Sequence, residues 1–461
     1  MPELPEVETV RRILQGVCVG KTIEGIDVFR PKNIASDPNE FVTRLQGKTI
    51  EGIGRKGKFL LFFLSESLVI VSHLRMEGKY FYQPSPEPQG KHDILRFRFT
   101  DGSALVYNDV RKFGRLQLSD QMHYLQTPPL SELGPEPFDY SPDQFKKRLS
   151  KDKRYIKQVL MDQSVIAGIG NIYCDEVLFA SALHPLTPAC EISEKAEEIL
   201  HNAQFILNKA IEASGSTIRS YHPGKDIDGM FQLSIQAYGK ENQPCPKCGF
   251  PMRRILANGR GTTFCPRCQK ATHVPFVLGV TGPIHSGKST VSRFFESKGY
   301  DLFDADVIAK QAYGDKTIQK RIKTLLGREA LENGKPNTGH IRSKLIQNPA
   351  LRKKLEGIIH PCVIRKAKQF IANHKPNQQI VLDVPLLFQS GMDELCDATI
   401  LVLTSPEAFA QRINEEGTRG HELAKINKDW PVALVKKKAS FTVYNDGSLE
   451  DLHKALESLP L

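Results

Sequence analysis

Near the start of the chain Val7, Val10, Ile13 and Leu14 recur at the spacing of one helix face, and Gly16 can stop the run. Pro5 suits a first helical turn; Glu6 and Glu8 favour its positive end, and Arg11 and Arg12 the other. The period then changes. "TIEGIDVF", "TIEGIGRKGKFLLFFL", "SLVIVSHL", "DILRFRFT" and "ALVYNDV" are β-branched or alternating, with Gly, Asp and Pro between them. Residues 17–118 therefore read as many short strands, in an all-β sandwich or barrel. Between residues 135 and 235 the helical period returns in "SPDQFKKRLS", "YIKQVLMDQ", "GNIYCDEVLFASAL" and "ISEKAEEILHNAQFILNKAIEAS". After the short linker "ATHVP" a third pattern begins. "FVLGVT", "YDLF", "IVLDVPLLF" and "ATILVLT" read as buried strands alternating with helices, which predicts a doubly wound α/β domain with a parallel sheet.

At 461 residues the chain has room for two to four domains. Apolar content of 40% and charged content of 25% are ordinary for a globular protein. A net charge of +11 points to a polyanionic partner. No secretory signal and no apolar run of about 18 residues stands out, so a cytoplasmic protein without a membrane partner is expected. Of nine cysteines, Cys245, Cys248, Cys265 and Cys268 pair at short spacing, which suggests a reducing compartment and one metal site rather than a disulfide scaffold.

Several stretches carry chemistry. If Met1 is trimmed, Pro2 becomes a free secondary amine, far more of it neutral at pH 7 than a lysine. Glu3 places a carboxylate beside it. The same residues also fit an ordinary capped helix. Lys56 and Lys58 sit in the turn "GRKGK"; Met76, Arg111 and Phe113 stand in "HLRMEG" and "YNDVRKFGRL", where they can wedge into a base stack or pack a core. "AGIGN" opens a helix at Asn171, and its glycines let backbone N–H groups approach an anion, with Lys153, Arg154 and Lys157 nearby. Sixteen residues separate Cys245-Pro-Lys-Cys248 from Cys265-Pro-Arg-Cys268, a zinc-ribbon spacing. Four thiolates close the shell, so one structural zinc is expected. The hairpin between the pairs carries Arg253, Arg254 and Arg260.

In the second half Gly282-Pro-Ile-His-Ser-Gly287-Lys288-Ser289-Thr290 matches G-x-x-x-x-G-K-[ST] between a strand and a helix. Its backbone N–H groups can cradle ATP phosphates, Lys288 can reach the β- and γ-phosphates, and Ser289 can hold Mg²⁺. Asp304 and Asp306 follow the next strand, where a carboxylate can accept a hydroxyl proton or cap a helix.

Taken together, "PELPEVETVRR", "GRKGKFL", "HLRMEG", "KHD", "DVRKFGR", "LGPEP", "IKQVLMDQ", "AGIGNIYCDEVLF" and the four-cysteine ribbon resemble formamidopyrimidine-DNA glycosylase, in order, from residue 2 to about residue 270. The resemblance implies a β-sandwich (1–134), a helix–two-turn–helix module (135–235) and a zinc finger (236–270). It implies a monomeric base-excision enzyme that removes oxidised purines, 8-oxoguanine and formamidopyrimidines, from damaged double-stranded DNA and nicks the strand. Pro2 would attack the sugar C1′ and form an imine, with Glu3 as acid–base partner. Lys58 would assist β-elimination and Arg260 δ-elimination. Met76, Arg111 and Phe113 would fill the gap left by the flipped nucleotide, and His92, Arg111, Lys157 and Asn171 would grip DNA, with Lys153 adding charge. Ile94 and Asp152 depart from the family pattern, and the lesion loop "STIRSYHPGKDIDGMF" follows it only loosely.

Beyond the linker at 271–276, residues 277–461 resemble dephospho-CoA kinase through the P-loop, "DADVIA", "LENGKPN", "NPALRKKLEGIIHPCV", "DVPLLF", "SPEAFAQR" and "YNDGSLEDL". The resemblance implies an ATP- and Mg²⁺-dependent kinase acting on the 3′-hydroxyl of dephospho-CoA. Asp306 would be the base, His360 would shape the acceptor site and Arg412 would sit at the lid. Pro283, His285, Gln389, Glu416, Lys425 and Asp429 depart from that family's pattern. Two functions follow: a bifunctional glycosylase–kinase, or an active glycosylase carrying a catalytically impaired nucleotide-binding module.

Overall fold

The computed structural model describes residues 2–213, 231–271, 274–332, 335–376, 378–416 and 430–461. The chain forms two compact units: one runs to Gly239 and includes Leu256–Phe264, and the other comprises Lys240–Ile255 and Cys265–Leu461.

In the first unit the helix Leu4–Cys18 buries Leu4, Val7, Val10 and Leu14, the face its periodicity marks. Eight strands follow: β1 (Ile23–Val28), β2 (Ile50–Lys56), β3 (Phe59–Leu64), β4 (Leu68–His73), β5 (Lys79–Gln83), β6 (Asp93–Phe99), β7 (Ala104–Asn108) and β8 (Arg115–Asp120). They make two antiparallel sheets, β1-β6-β7-β5 and β2-β3-β4-β8. Ile26, Phe97 and Leu105 from one sheet and Ile53, Phe62 and Ile70 from the other share one core with Val7, Val10 and Leu14. The β-fold is thus a sandwich rather than a barrel. β3 is a continuous apolar run because both its faces are covered: Leu60, Phe62 and Leu64 enter this core, while Phe59 and Leu61 pack with Val69, Val71 and Leu130.

The helices Pro142–Leu149, Ile156–Met161, Asn171–Ala180 and Ala196–Glu212 enclose a second core around Phe145, Val159, Tyr173, Val177 and Leu200. Glu176 is buried there and collects the backbone N–H groups of Gln236, Ala237 and Tyr238 at 2.8–2.9 Å. Residues 216–230 of the lesion loop lie outside the described residues. β9 (Arg253–Ala257) and β10 (Arg260–Phe264) form the ribbon hairpin.

The second unit is built on a sheet in the order β12-β15-β11-β16-β17: Asp301–Asp304, Gln379–Asp383, Phe276–Thr281, Ala398–Leu403 and Phe441–Tyr444. Every pairing in it is parallel. Between β12 and β15 the chain makes a short antiparallel pair, β13 (Leu331–Glu332) and β14 (Lys335–Pro336). Asp383 lies in register with Val280 on one side and Asp304 on the other, so two carboxylates and the P-loop strand end at one edge of the sheet. Ligands of open α/β sheets bind at that edge. Among the described residues no helix is long and apolar enough to cross a membrane.

Candidate active sites

Glu3 is buried at 2% exposure, and its carboxylate accepts hydrogen bonds from the backbone N–H groups of Gly170 (2.7 Å), Ile172 (3.0 Å) and Tyr173 (3.4 Å). These donors open the helix Asn171–Ala180, whose positive end favours an anion. The anion admitted by "AGIGN" is therefore the chain's own Glu3, not a phosphate. The approach needs glycine, because a β-carbon on Gly170 would overlap the Glu3 carboxyl. Leu4 N–H donates to Gly168 carbonyl at 3.1 Å and Glu3 N–H to Glu6 Oε2 at 2.9 Å, which holds the backbone directly after Pro2.

Lys58 joins the same site. It is 5% exposed, and its Nζ donates to Ile169 carbonyl at 2.8 Å. Burial pushes the Glu3 carboxyl above its ordinary range, against the charge of Lys58 and the N–H donors. Burial pushes the Lys58 ammonium below its own range, against Glu3 and Glu6 and with the charge of Arg260 adding to the shift. A carboxyl displaced upward beside an amine displaced downward suits proton transfer near neutral pH. The turn that carries Lys58 is held by a carboxylate to which the motif "LGPEP" gave no role. Glu136 accepts from Arg55 Nη1 and Nη2 at 2.8 and 2.9 Å and from Gly57 N–H at 2.7 Å. Arg55 also reaches Glu8 at 3.2 Å.

Arg260 is exposed on the hairpin, and Asn171 ties that strand to the helix by donating from Nδ2 to Gly261 carbonyl at 3.0 Å. Lys157 departs from its expected place on a DNA-facing surface. It has no solvent exposure, and its ammonium pairs with Asp175, whose other oxygen accepts from Thr263 N–H at 2.9 Å. A lysine so enclosed braces the helix against the hairpin and cannot reach a phosphate. Lys153 is exposed. Asp152, a departure in the sequence, binds Arg154 (2.7 Å) and Arg148 (3.1 Å), which cancels part of the local positive charge. Ile94 is a core residue at 1% exposure, which leaves no room there for a polar group. His92 is half-buried, with its Nδ1 unpartnered.

Met76 is half-buried, and Arg111 and Phe113 are exposed. The Arg111 guanidinium stands 5.2 Å from the Phe113 ring centroid. Residues that the sequence reading missed shape both loops. Buried Asp109 accepts from Arg111 N–H (2.9 Å) and Gly114 N–H (2.7 Å), and buried Asn33 donates to Lys112 and Gly114 carbonyls at 3.2 and 2.7 Å. On the other loop His73 Nδ1 accepts from Arg75 N–H at 2.8 Å.

In the second unit the sulfurs of Cys245, Cys248, Cys265 and Cys268 lie within 4.8 Å of one another. The pairs Cys245–Cys268 and Cys248–Cys265 stand at 3.9 and 3.5 Å, near the ~3.8 Å edge of a tetrahedron of zinc–thiolate bonds. The four residues fit one structural zinc with no position left open.

Around the P-loop, Lys288 Nζ pairs with Asp383 Oδ1 at 2.7 Å. Asp383 is another residue without an assigned role in the sequence. Asp304 and Asp306 separate: Asp304 caps the next helix by accepting from Asp306 N–H (2.9 Å) and Val307 N–H (3.0 Å), which leaves the Asp306 carboxyl free of that duty. Asp306 and His360 line one cavity of about 240 Å³ with Arg352, Glu356, Val384 and Met392. Desolvation pushes the Asp306 carboxyl up, with Asp304 and Asp383 adding and Lys288 opposing. Burial pushes the His360 ring down, against Glu356. Gly282 is buried; Ser289 and Thr290 are exposed in the first turn of the helix Lys288–Ser297. Arg412 is a brace rather than a free lid residue here, donating to His285 carbonyl (2.8 Å) and Asn445 carbonyl (2.7 Å). Asn445 in turn donates to Ser286 carbonyl at 3.0 Å beside Gly287. Of the departures, His285 has a left-handed backbone at φ 64°, while Lys425, Asp429 and the Glu416 side chain lie outside the described residues.

Comparison with known proteins matches successive stretches of the chain to separate family models. Family models match for the formamidopyrimidine-DNA glycosylase N-terminal domain over residues 1–116, its H2TH domain over 133–222 and the zinc finger found in FPG and IleRS over 242–271. Dephospho-CoA kinase matches over 276–451. Formamidopyrimidine-DNA glycosylase of Bacillus licheniformis is 49% identical over 275 residues, covering 59% of this chain and 100% of the relative. That of Bacillus subtilis is 47% identical over 274 residues, 58% and 99%. Among solved structures, a Lactococcus lactis FPG mutant in complex with Fapy-dG-containing DNA aligns with a TM-score of 0.56 at 40% identity, covering 58% of this chain and 100% of that one. The Lactococcus lactis Fpg complex with abasic-site DNA aligns at 0.54 and 40%, over 58% and 99%.

Proposed function

The chain belongs to the formamidopyrimidine-DNA glycosylase family and carries a dephospho-CoA kinase domain behind it, and from that premise we propose that it excises oxidised purines from duplex DNA and separately phosphorylates dephospho-CoA. The observation that carries the first activity is the clamped Glu3 carboxylate beside the buried Lys58 amine. With Met1 removed, the Pro2 nitrogen stands next to that pair. It attacks C1′ of the damaged nucleotide, the base departs with its bonding electrons and takes a proton, and the sugar opens as an iminium on Pro2. The iminium acidifies the C2′ proton, whose removal expels the 3′-phosphate. Glu3 and Lys58 serve the proton transfers, and exposed Arg260 serves the second elimination. Met76, Arg111 and Phe113 enter the base stack while the lesion is out of it. Lys153, His92 and Asn171 face the backbone, and Lys157 keeps the hairpin in place through Asp175. Cys245, Cys248, Cys265 and Cys268 would hold the zinc, which would supply a structural cross-link rather than chemistry.

In the kinase domain Asp306 removes the proton of the acceptor 3′-hydroxyl while Lys288 leaves Asp383 for the ATP phosphates. Ser289 and Asp383 are the residues that would hold Mg²⁺, which supplies charge neutralisation on the phosphates. Gly282, Gly287 and Thr290 shape the cradle, and His360 shapes the acceptor cavity. The full chain, incubated with an 8-oxoguanine duplex and borohydride, should give a covalent protein–DNA adduct. Tight binding without an adduct would refute the amine nucleophile. CoA formed from ATP and dephospho-CoA tests the second activity, and ATP binding without product would favour an impaired module instead.

A further inference from the structure

The two loops that carry the wedge residues cross between the sheets at one end of the sandwich. One runs from β4 to β5 through residues 74–78, the other from β7 to β8 through 109–114. Tyr107 stands between them. It is fully buried, faces Tyr80 across the β5–β7 ladder and has a hydroxyl without a hydrogen-bond partner. That hydroxyl packs against both loops at the points where each carries a glycine. A β-carbon on Gly78 or on Gly114 would collide with it. The 109–114 loop is not free to back away at its glycine. Gly114 is held at its N–H by Asp109 (2.7 Å) and at its carbonyl by Asn33 (2.7 Å), and Gly78 N–H is held by Leu74 carbonyl at 2.9 Å.

We infer that Tyr107 is a positioning residue that couples the two wedge loops, so that Met76 on one side and Arg111 with Phe113 on the other take up their places together. The inference rests on the wedge role proposed above. Tyr107 touches no reacting atom; it acts through the glycines. A bulkier residue at Gly114 must displace either the ring beneath the Met76 loop or the Phe113 loop itself, since both ends of its own peptide are tied.

The test is a double-mutant cycle on the full chain. Gly114→Ala should lower single-turnover excision of 8-oxoguanine from duplex about tenfold or more, with cleavage of a preformed abasic site in a single strand changed by less than about twofold, because no base then has to leave a stack. Adding Tyr107→Leu removes both the hydroxyl and the ring carbon that would lie 2.7 Å from the new β-carbon, and the double variant should recover at least about half the excision rate of Tyr107→Leu alone. Equal loss of excision and abasic-site cleavage in Gly114→Ala, or no recovery in the double variant, overturns the coupling. A wild-type chain that excises nothing would sink the proposed function instead, so the two failures are distinct.

Discussion

Two glycine-bearing loops in this chain open helices, and they use the same local grammar for opposite ends. At Gly168–Asn171 the helix N-terminus is filled by the chain's own carboxylate: Glu3 takes three N–H donors and brings the Pro2 backbone with it. At Gly282–Ser289 the loop is braced from behind by Arg412 and Asn445 through its carbonyls, and its lysine rests on Asp383. The first site is assembled before substrate arrives. In the second an ion pair has to open before the lysine can meet a phosphate. A helix N-terminus attracts an anion in either case; only the surrounding fold decides whether that anion is a ligand or a side chain.

The largest effect should come from breaking the filled site. Glu3→Gln keeps the size but loses the charge and the acid, and excision should fall about 10²- to 10⁴-fold in single-turnover kinetics while CoA formation holds. Excision at the normal rate would reduce Glu3 to a helix cap and erase the contrast with the P-loop. Next, Lys288→Ala should lower CoA formation about 10²- to 10³-fold and leave excision intact. A variant that still makes CoA at the parental rate would mean that the Lys288–Asp383 pair is structural, like Glu3 on its helix.

The smallest effect concerns how rigidly the first unit holds its loops. Burial pushes His73 from 6.5 down to about 3, with Arg75 and Lys58 adding, so it stays neutral in the folded chain and accepts from Arg75 N–H. A histidine depressed by folding contributes stability above pH 6.5 that is lost as the pH falls towards 3, because the unfolded chain takes up the proton first. Between pH 7 and pH 5 this amounts to roughly 2 kcal/mol. The melting transition of the first unit should therefore drop less over that interval in His73→Asn than in the parent, and equal drops would show that another group carries the pH dependence.

The all-β region, the helical module and the parallel sheet were each legible from period alone, since burial on one face or two writes itself into the spacing of apolar residues, whereas period left sandwich and barrel equally open. The P-loop and the four cysteines were legible because phosphate and zinc demand fixed residue types at fixed intervals. Partnerships between distant positions were not. Nothing local says that Glu136 clamps Gly57, that Asp383 holds Lys288 or that Asn33 and Asp109 shape the Phe113 loop, because each bond joins residues that only chain folding brings within hydrogen-bond reach. Lys157 shows the cost of reading charge without burial: the sequence displays a basic residue near a helix start, and the tertiary structure encloses it against Asp175. Residue types and their spacing determined which chemistries this protein can perform; desolvation and contact, which exist only once the chain is packed, decided which charged groups face a substrate and which hold the protein together.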